Sequence, residues 1–209
     1  MIDLYTWSTP NGRKVSIMLE EVGLAYEVHA VDITKGRQHE PDFLKISPGN
    51  RIPAIVDRDN GVSMMQSGAI LLYLAEKTGM FMPSADAARR RVMEWLMWQM
   101  GDLGPMLGQA HHFLKFNQGK APYAETRYQE IAERLYGVLD RRLAERAYIV
   151  DDYSVADIAT WPWISRFEWH QVDIDSYPNV RRWYTSIAAR PAVQAGYHVP
   201  KKLQDIPMP

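Results

Sequence analysis

Apolar and polar residues follow two different periods at the start of the chain. Residues 2–7 are apolar or aromatic at all but two positions, which is typical of a buried strand. Apolar side chains then recur at helical spacing over 15–22 and alternate with polar ones over 26–30. The two predicted strands are expected to be parallel neighbours, because a crossover of this kind is right-handed.

The chain beyond the second strand predicts a short helix, a hairpin and a longer helix. Residues 42–46 fit a short helix, and 52–56 fit an apolar strand. The dipeptide Asn60-Gly61 predicts a tight turn, because both residues tolerate positive φ, so the next strand returns antiparallel. A helix then begins at Ser67. The element order is therefore βαβ, a short helix and then ββα.

The sequence after residue 79 shows only the apolar spacing that is typical of helices. Residues 80–86 form a predicted linker, and apolar side chains beyond it recur at helical spacing. The stretch from Ser154 to Asp157 has the form of a capping box, with aspartate in place of the usual glutamate or glutamine. The pattern predicts an α/β domain over residues 1–79 and an all-helical domain over 87–209.

Composition and charge exclude several classes of function. The 209 residues are 46% hydrophobic and 23% charged, with a formal net charge of -1, so no electrostatic binding to nucleic acid or to an anionic membrane is expected. The longest apolar run, 69–75, is far shorter than the ~18 residues of a spanning helix. No signal peptide is recognisable, and we expect a cytoplasmic protein.

The sequence contains no cysteine, which excludes a disulfide, a zinc–thiolate site and a cysteine nucleophile. Any thiol chemistry must therefore come from a thiol that the protein binds. The neighbours His111 and His112 do not predict a metal site, because adjacent side chains on a helix point about 100° apart. No carboxylate completes a ligand set, and no metal is expected.

Polar residues at element ends are the candidates for chemistry. Thr9 and Asn11 lie where a strand meets a helix, and they could donate hydrogen bonds to a bound thiolate or only cap the helix. Pro53 could follow a cis bond that turns the backbone of Ile52 towards an extended ligand, or be an ordinary edge proline. Ser67 could hold a carboxylate at a helix N-terminus or only cap it.

Longer stretches resemble a known family. Residues 8–12, 47–54 and 66–70 are similar to the glutathione-binding motifs of the glutathione transferase superfamily, and 154–157 resembles its helix-capping signature. The stretches that resemble its bacterial Nu class are 104–109, 111–113 and 122–129. The resemblance covers residues 1 to 200 and implies that Ser154 and Asp157 serve folding rather than catalysis.

The resemblance implies a thioredoxin-like N-terminal domain and an all-helical C-terminal domain that forms the side of the second substrate. It implies a homodimer that reduces small disulfides, with bound glutathione as the thiolate nucleophile. Since no cysteine is present, a second glutathione must resolve the product. One alternative is conjugation of glutathione to an electrophile, and another is a regulatory or interaction protein that binds glutathione without turnover.

The resemblance also implies binding roles for individual residues. The implied glutathione-binding residues are Thr9, Asn11, Gln38, Ile52, Gln66, Ser67 and Arg127. Thr9 and Asn11 would lie at the sulfur as the catalytic pair, Gln38 would contact the glycyl end, and Arg127 would reach in from the helical domain.

The resemblance assigns the remaining contacts to two segments. The backbone of Ile52, ahead of a cis Pro53, would pair with the cysteinyl unit, and Gln66 and Ser67 would hold the γ-glutamyl end. The Nu pattern usually has glutamate where this chain has Gln66, and a neutral amide gives up the charge attraction to the ligand ammonium.

Overall fold

The computed structural model describes all 209 residues in two units. The first unit comprises Met1–Met82 and Ala189–Ile206, and the second comprises Pro83–Ala188 and Pro207–Pro209. The strands are β1 (Ile2–Thr6), β2 (Tyr26–Ala30), β3 (Ala54–Asp57) and β4 (Val62–Met65). The α-helices are α1 (Pro10–Val22), α2 (Pro41–Ile46), α3 (Ser67–Thr78), α4 (Asp86–Trp98), α5 (Gly104–Ala110), α6 (Pro122–Leu143), α7 (Val155–Ile164), α8 (Pro178–Ala188) and α9 (Pro191–Tyr197). No helix is both long and apolar enough to span a membrane.

The first unit is built on a four-stranded sheet in the order β2-β1-β3-β4. Strand β1 pairs in parallel with β2 and antiparallel with β3, and β3 pairs antiparallel with β4. Since β1 and β2 are joined through α1, and β4 leads into α3, the element order is βαβ followed by ββα. The sheet with its helices confirms the predicted α/β fold of the N-terminal part.

Alternation along β1 separates two packing faces. Ile2 and Leu4 are fully buried, whereas Tyr5 points to the opposite face. There Tyr5 packs beside Phe43 of α2 and stacks on His29, with ring centroids 4.6 Å apart.

The segment after α8 returns to the first unit, where α9 packs against α1. A Cβ on Gly196 would lie 2.6 Å from the backbone of Ile17, so only glycine fits at this crossing. The Nε–H of Arg13 donates to the carbonyl of Tyr197 at 3.0 Å, and the guanidinium lies 3.5 Å from the centre of the Tyr197 ring. These contacts make Ala189–Ile206 a structural part of the first unit.

The second unit is helical, as predicted, and π-helical turns flank α5. These turns comprise Gln99–Leu103 before the helix and His111–Phe116 after it. All ten residues of α7 are buried, and the helix contains an internal proline, Pro162. Most of its side chains are apolar, and the buried polar ones include Asp157 and Thr160.

Asp157, buried in the first turn of α7, connects three parts of this unit. It forms a capping box with Ser154, whose N–H donates to the carboxylate at 3.1 Å. The same carboxylate accepts the N–H of Ile149 at 2.9 Å and the indole N–H of Trp183 on α8 at 2.8 Å. Burial raises the pKa of Asp157 to about 6, and the hydrogen bonds offset only part of that effect.

Two imidazoles are stacked in the same unit. The rings of His111 and His170 are nearly parallel, with centroids 4.8 Å apart, and His170 Nδ1 lies 2.9 Å from the hydroxyl of Tyr136. Burial, with a smaller contribution from the charge of Arg166, lowers the pKa of His111 to about 3. Burial also lowers the pKa of His170 well below its usual value. Both rings are therefore neutral in the folded protein at neutral pH.

We expect mild acid to destabilise the protein through this pair. Below pH ~6.5 each histidine takes up a proton in the unfolded chain but not in the folded one. The free energy of unfolding then falls by up to about 1.4 kcal/mol per pH unit for each histidine. Asp157 acts in the opposite sense, because its raised pKa lets the folded state bind its proton first as the pH falls.

A His111→Phe variant isolates the effect of one ring, since phenylalanine stacks but does not titrate. Urea unfolding of both proteins from pH 7 to pH 4 should give a stability difference that changes by about 1.4 kcal/mol per pH unit below pH 6. Parallel pH dependences for the two proteins would contradict this prediction.

Candidate functional site

The pairing register brings four chain segments to one edge of the sheet. Thr6 at the end of β1 lies opposite Ala30 at the end of β2. Tyr5 lies opposite Ala54, which begins β3, and Ala54 lies opposite Met65, which ends β4. The segments that follow β1, β2 and β4 and the one that precedes β3 therefore meet at this edge. The predicted binding residues in these segments are Thr9, Asn11, Gln38, Ile52, Gln66 and Ser67, and we call them the site edge.

The segment between β1 and α1 is held in one conformation. Thr9 is extended, its N–H donates to the carbonyl of Trp7 at 2.7 Å, and its hydroxyl accepts the N–H of Gly12 at 3.2 Å. Pro10 occupies the first turn of α1, where a missing N–H costs nothing. A Cβ on Gly12 would lie 2.2 Å from the carbonyl oxygen of Trp7, so this position requires glycine. Thr9 therefore caps the helix, while Asn11 stands half-buried in its first turn.

The Ile52–Pro53 peptide bond is cis. Ile52 precedes β3, so its backbone lies outside the strand ladder, whose pairing begins at Ala54. The loop before it is fixed by Ser47, whose hydroxyl donates to the carbonyl of Arg51 at 2.8 Å. The side chain of Ile52 packs against the buried cluster that contains Ala54. A partly buried side chain thus anchors this segment of the site edge.

Gln66 and Ser67 form the start of α3. Gln66 has φ 73° and ψ 111°, a region that costs a non-glycine residue free energy. No side chain caps α3, and its first turn contains no acidic residue, so the positive end of the helix dipole is not offset from within the helix. Ser67 is only 4% exposed, and its Oγ lies 3.4 Å from the Nζ of Lys14 on α1.

Gln38 lies in a 3₁₀ turn, Arg37–His39, that follows β2. Its Nε2 lies 3.3 Å from Nε2 of His39, whose Nδ1 in turn lies 3.2 Å from the amide of Asn50. Its Oε1 is buried and has no hydrogen-bond partner in the chain. Buried acceptors are nearly always satisfied, so this oxygen is suited to a donor on a ligand.

Arg127 lies in the second unit, exposed on α6. It therefore does not belong to the site edge, which is contained in the first unit. Its proposed role in glutathione binding stays a prediction.

Lys14 is a residue of this region that sequence reasoning did not single out. It is 1% exposed, and burial lowers its pKa well below the usual value. A signal was present, because Lys14 shares a helix face with Met18, four residues later, which is fully buried. A lysine on the apolar face of an amphipathic helix is unusual, because lysine is almost never fully buried.

Family models match both parts of the chain. The model "Glutathione S-transferase, N-terminal domain" matches residues 1–76, and "Glutathione S-transferase, C-terminal domain" matches residues 103–191. Among curated proteins, the chain is 49% identical over 198 residues to the disulfide-bond oxidoreductase YfcG of Escherichia coli, a match that covers 92% of each chain. It is 38% identical to the disulfide-bond oxidoreductase YghU of the same organism, covering 93% of this chain and 73% of that protein.

Solved structures agree with these matches. A glutathione transferase from Pseudomonas putida, with one glutathione disulfide bound per subunit, has a TM-score of 0.92 and 42% identity, covering 95% of this chain and 91% of that one. A glutathione transferase family member from Pseudomonas fluorescens, with two glutathione molecules bound, has a TM-score of 0.91 and 44% identity, covering 95% and 93%. Both relatives hold the same peptide, once as the disulfide and once as two separate molecules.

Proposed function

Since the chain belongs to the glutathione transferase family, we propose that it binds glutathione at the site edge and uses it to reduce small disulfides. The observation that carries this proposal is the register of the sheet, which brings Thr9, Ile52 and Ser67 to one edge. The relatives named disulfide-bond oxidoreductase support the reaction, and the glutathione-bound neighbours support the ligand.

The β1–α1 junction is suited to hold a thiolate. The Thr9 hydroxyl oxygen accepts from Gly12, so its own proton is directed away from the helix and can be donated to the sulfur. The N-terminus of α1 and the Asn11 amide add positive partial charge at the same place. These donors lower the thiol pKa from ~8.5, which increases the reactive fraction at neutral pH.

Because the chain has no cysteine, every bond change must take place between glutathione and the substrate. The glutathione thiolate attacks one sulfur of the substrate disulfide, the S–S bond breaks, and the other sulfur leaves as a thiolate that takes up a proton. The mixed disulfide is thus carried by glutathione and not by the protein. A second glutathione thiolate attacks the glutathione sulfur of this mixed disulfide, which gives glutathione disulfide and releases the second substrate thiol.

The remaining residues of the site edge would bind the rest of the peptide. The backbone of Ile52, outside the strand ladder and before a cis bond, would pair with the cysteinyl unit. The buried Oε1 of Gln38 would accept a hydrogen bond from the N–H of the glycyl unit. Gln66 and Ser67, at the positive end of α3, would hold the γ-glutamyl end. Arg127 is also proposed to bind glutathione.

Binding and turnover are measured on the same preparation. Glutathione and glutathione disulfide are titrated separately by calorimetry, and reduction of a small disulfide is then assayed beside conjugation of a model aryl halide. We expect binding of at least one form and disulfide turnover. Turnover of the aryl halide alone would replace the proposal with conjugation. Binding with neither activity would point to a regulatory protein, and no binding would contradict the proposal.

We also propose a two-fold dimer in the cytoplasm, with one glutathione site per subunit. A reaction that consumes reduced glutathione fits a compartment that keeps thiols reduced. Large apolar side chains of the second unit are exposed at Met97, Phe116 and Tyr123, which leaves apolar surface for association. A monomeric mass in sedimentation at micromolar concentration would contradict the dimer.

A further inference from the structure

Lys201 belongs to the segment after α9, which is part of the first unit. The hydroxyl of Ser8, a residue that is 6% exposed, donates to the carbonyl of Lys201 at 3.3 Å. The Nζ of Lys201 lies 4.7 Å from the centre of the Trp7 ring. Trp7 and Ser8 directly precede Thr9, which is proposed to contact the glutathione sulfur. A cation is thus held beside the segment where the proposed reaction takes place.

This cation has no carboxylate partner in the chain. Each of the other exposed lysines of the first unit lies within 4.0 Å of an aspartate, and these lysines are Lys35, Lys45, Lys77 and Lys202. Lys201 is exposed as well, but it lies over the face of an aromatic ring instead. Contact with a ring face leaves N–H donors of the ammonium group accessible, so Lys201 is able to attract an anion.

The charge of Lys201 acts at the edge where β1 and β2 end. The N–H of Val31 donates to the carbonyl of Thr6 at 2.9 Å, which holds the chain after β2 alongside the chain after β1. A hydrogen bond from the Thr34 hydroxyl is the main cause that lowers the pKa of Asp32, and the charge of Lys201 makes a smaller contribution. Lys201 therefore exerts its field at the site edge without forming a direct ion pair there.

We propose that Lys201 makes the site select disulfides that carry carboxylate groups as the second substrate. This inference rests on the proposed reduction of disulfides by glutathione at the site edge. A substrate disulfide must approach the sulfur at the β1–α1 junction, and a carboxylate on its organic part is then attracted by Lys201. The bond changes stay those of the proposed reaction, and Lys201 decides which disulfides reach the thiolate fastest.

Three disulfides that differ only in their end groups test this selection. Dithiodipropionate ends in carboxylates, cystamine ends in ammonium groups, and bis-hydroxyethyl disulfide ends in neutral hydroxyls. We expect Lys201→Gln to lower kcat/KM for dithiodipropionate about 2–5-fold, the usual strength of an exposed charge pair, and to raise it similarly for cystamine. Each variant is compared with the wild type on the same disulfide, so intrinsic reactivity cancels. The neutral disulfide measures any loss that does not depend on charge.

Lys202→Gln is the matched control, because it removes the same charge from the neighbouring position. Lys202 pairs with Asp205 at 2.5 Å, so its charge is already balanced. We expect this variant to change the ratio of kcat/KM for dithiodipropionate to that for cystamine much less than Lys201→Gln does. At about 1 M salt, where the screening length is about 3 Å, the effect of Lys201→Gln on this ratio should become much smaller.

Each result supports or overturns the inference. Opposite changes for dithiodipropionate and cystamine in Lys201→Gln, with little change in Lys202→Gln, support it. An equal loss with all three disulfides, or no change with any, overturns it and leaves Lys201 with a structural role or none. Equal effects of the two variants also overturn it, because net charge alone would then explain them. Wild-type protein that reduces none of the three disulfides would instead overturn the proposed function, and the inference with it.

Discussion

Asp157→Ala is expected to lower the free energy of unfolding by about 3–5 kcal/mol, the usual cost of breaking a buried polar network. The variant leaves the N–H groups of Ile149 and Ser154 and the indole N–H of Trp183 buried without their acceptor. Each such donor costs about 1–3 kcal/mol, and the costs do not add fully. Since domains are stable by only about 5–15 kcal/mol, a large part of the stability would be lost. Urea unfolding followed by tryptophan fluorescence measures the change.

Two further variants separate the hydrogen bonds from the capping effect. Asp157→Asn keeps the side-chain volume and one acceptor oxygen. Its free energy of unfolding should therefore lie between those of the wild type and Asp157→Ala. Ser154→Ala removes the cap hydroxyl but keeps the carboxylate, and should cost about 1 kcal/mol. If Asp157→Ala lowers the free energy of unfolding no more than Ser154→Ala does, the carboxylate does not connect Ile149 and Trp183 in the way the structure indicates.

The capping box at Ser154 and the elements of the first unit could be predicted from sequence because their signals are local. The alternation over 26–30 and the Asn60-Gly61 turn each require only a few neighbouring residues, and β2 and the β3–β4 hairpin are found there. The fit of Gly196 against Ile17 has no such signal. It depends on a contact between residues about 180 positions apart, which no local period records.

For the site edge, too, the sequence predicts the individual residues but not the contacts between distant parts of the chain. Thr9, Pro53 and Ser67 could be selected because each stands at the end of an element, where polar groups and backbone donors are exposed. That these three residues lie at the same edge of the sheet follows only from the pairing register of the strands. The partnership of Lys14 with Ser67 requires in addition that α1 and α3 pack side by side, which the sequence pattern does not state.

Replacing Thr9 and Asn11 together is expected to lower kcat/KM for disulfide reduction about 100-fold or more at pH 7. Each side chain is proposed to donate to the glutathione sulfur, and a hydrogen bond to a charged group is worth about 10–100-fold. Thr9→Ala also removes the cap on α1, which costs about 1 kcal/mol of stability but does not by itself affect the thiol. Thr9→Ser keeps the hydroxyl and should keep most of the activity.

The pH dependence distinguishes a thiolate role from a capping role. Only the thiolate attacks, so loss of its donors raises the thiol pKa and moves the acidic limb of the rate profile to higher pH. The difference in kcat/KM between Thr9→Ala and the wild type should then become smaller as the pH rises towards 9. Because the chain has no cysteine, the protein contributes no thiolate absorbance, and the ultraviolet difference spectrum of the saturated complex reports the pKa of the glutathione thiol. Normal turnover in both Thr9→Ala and Asn11→Ala, or an unshifted thiol pKa, would show that the junction only caps α1.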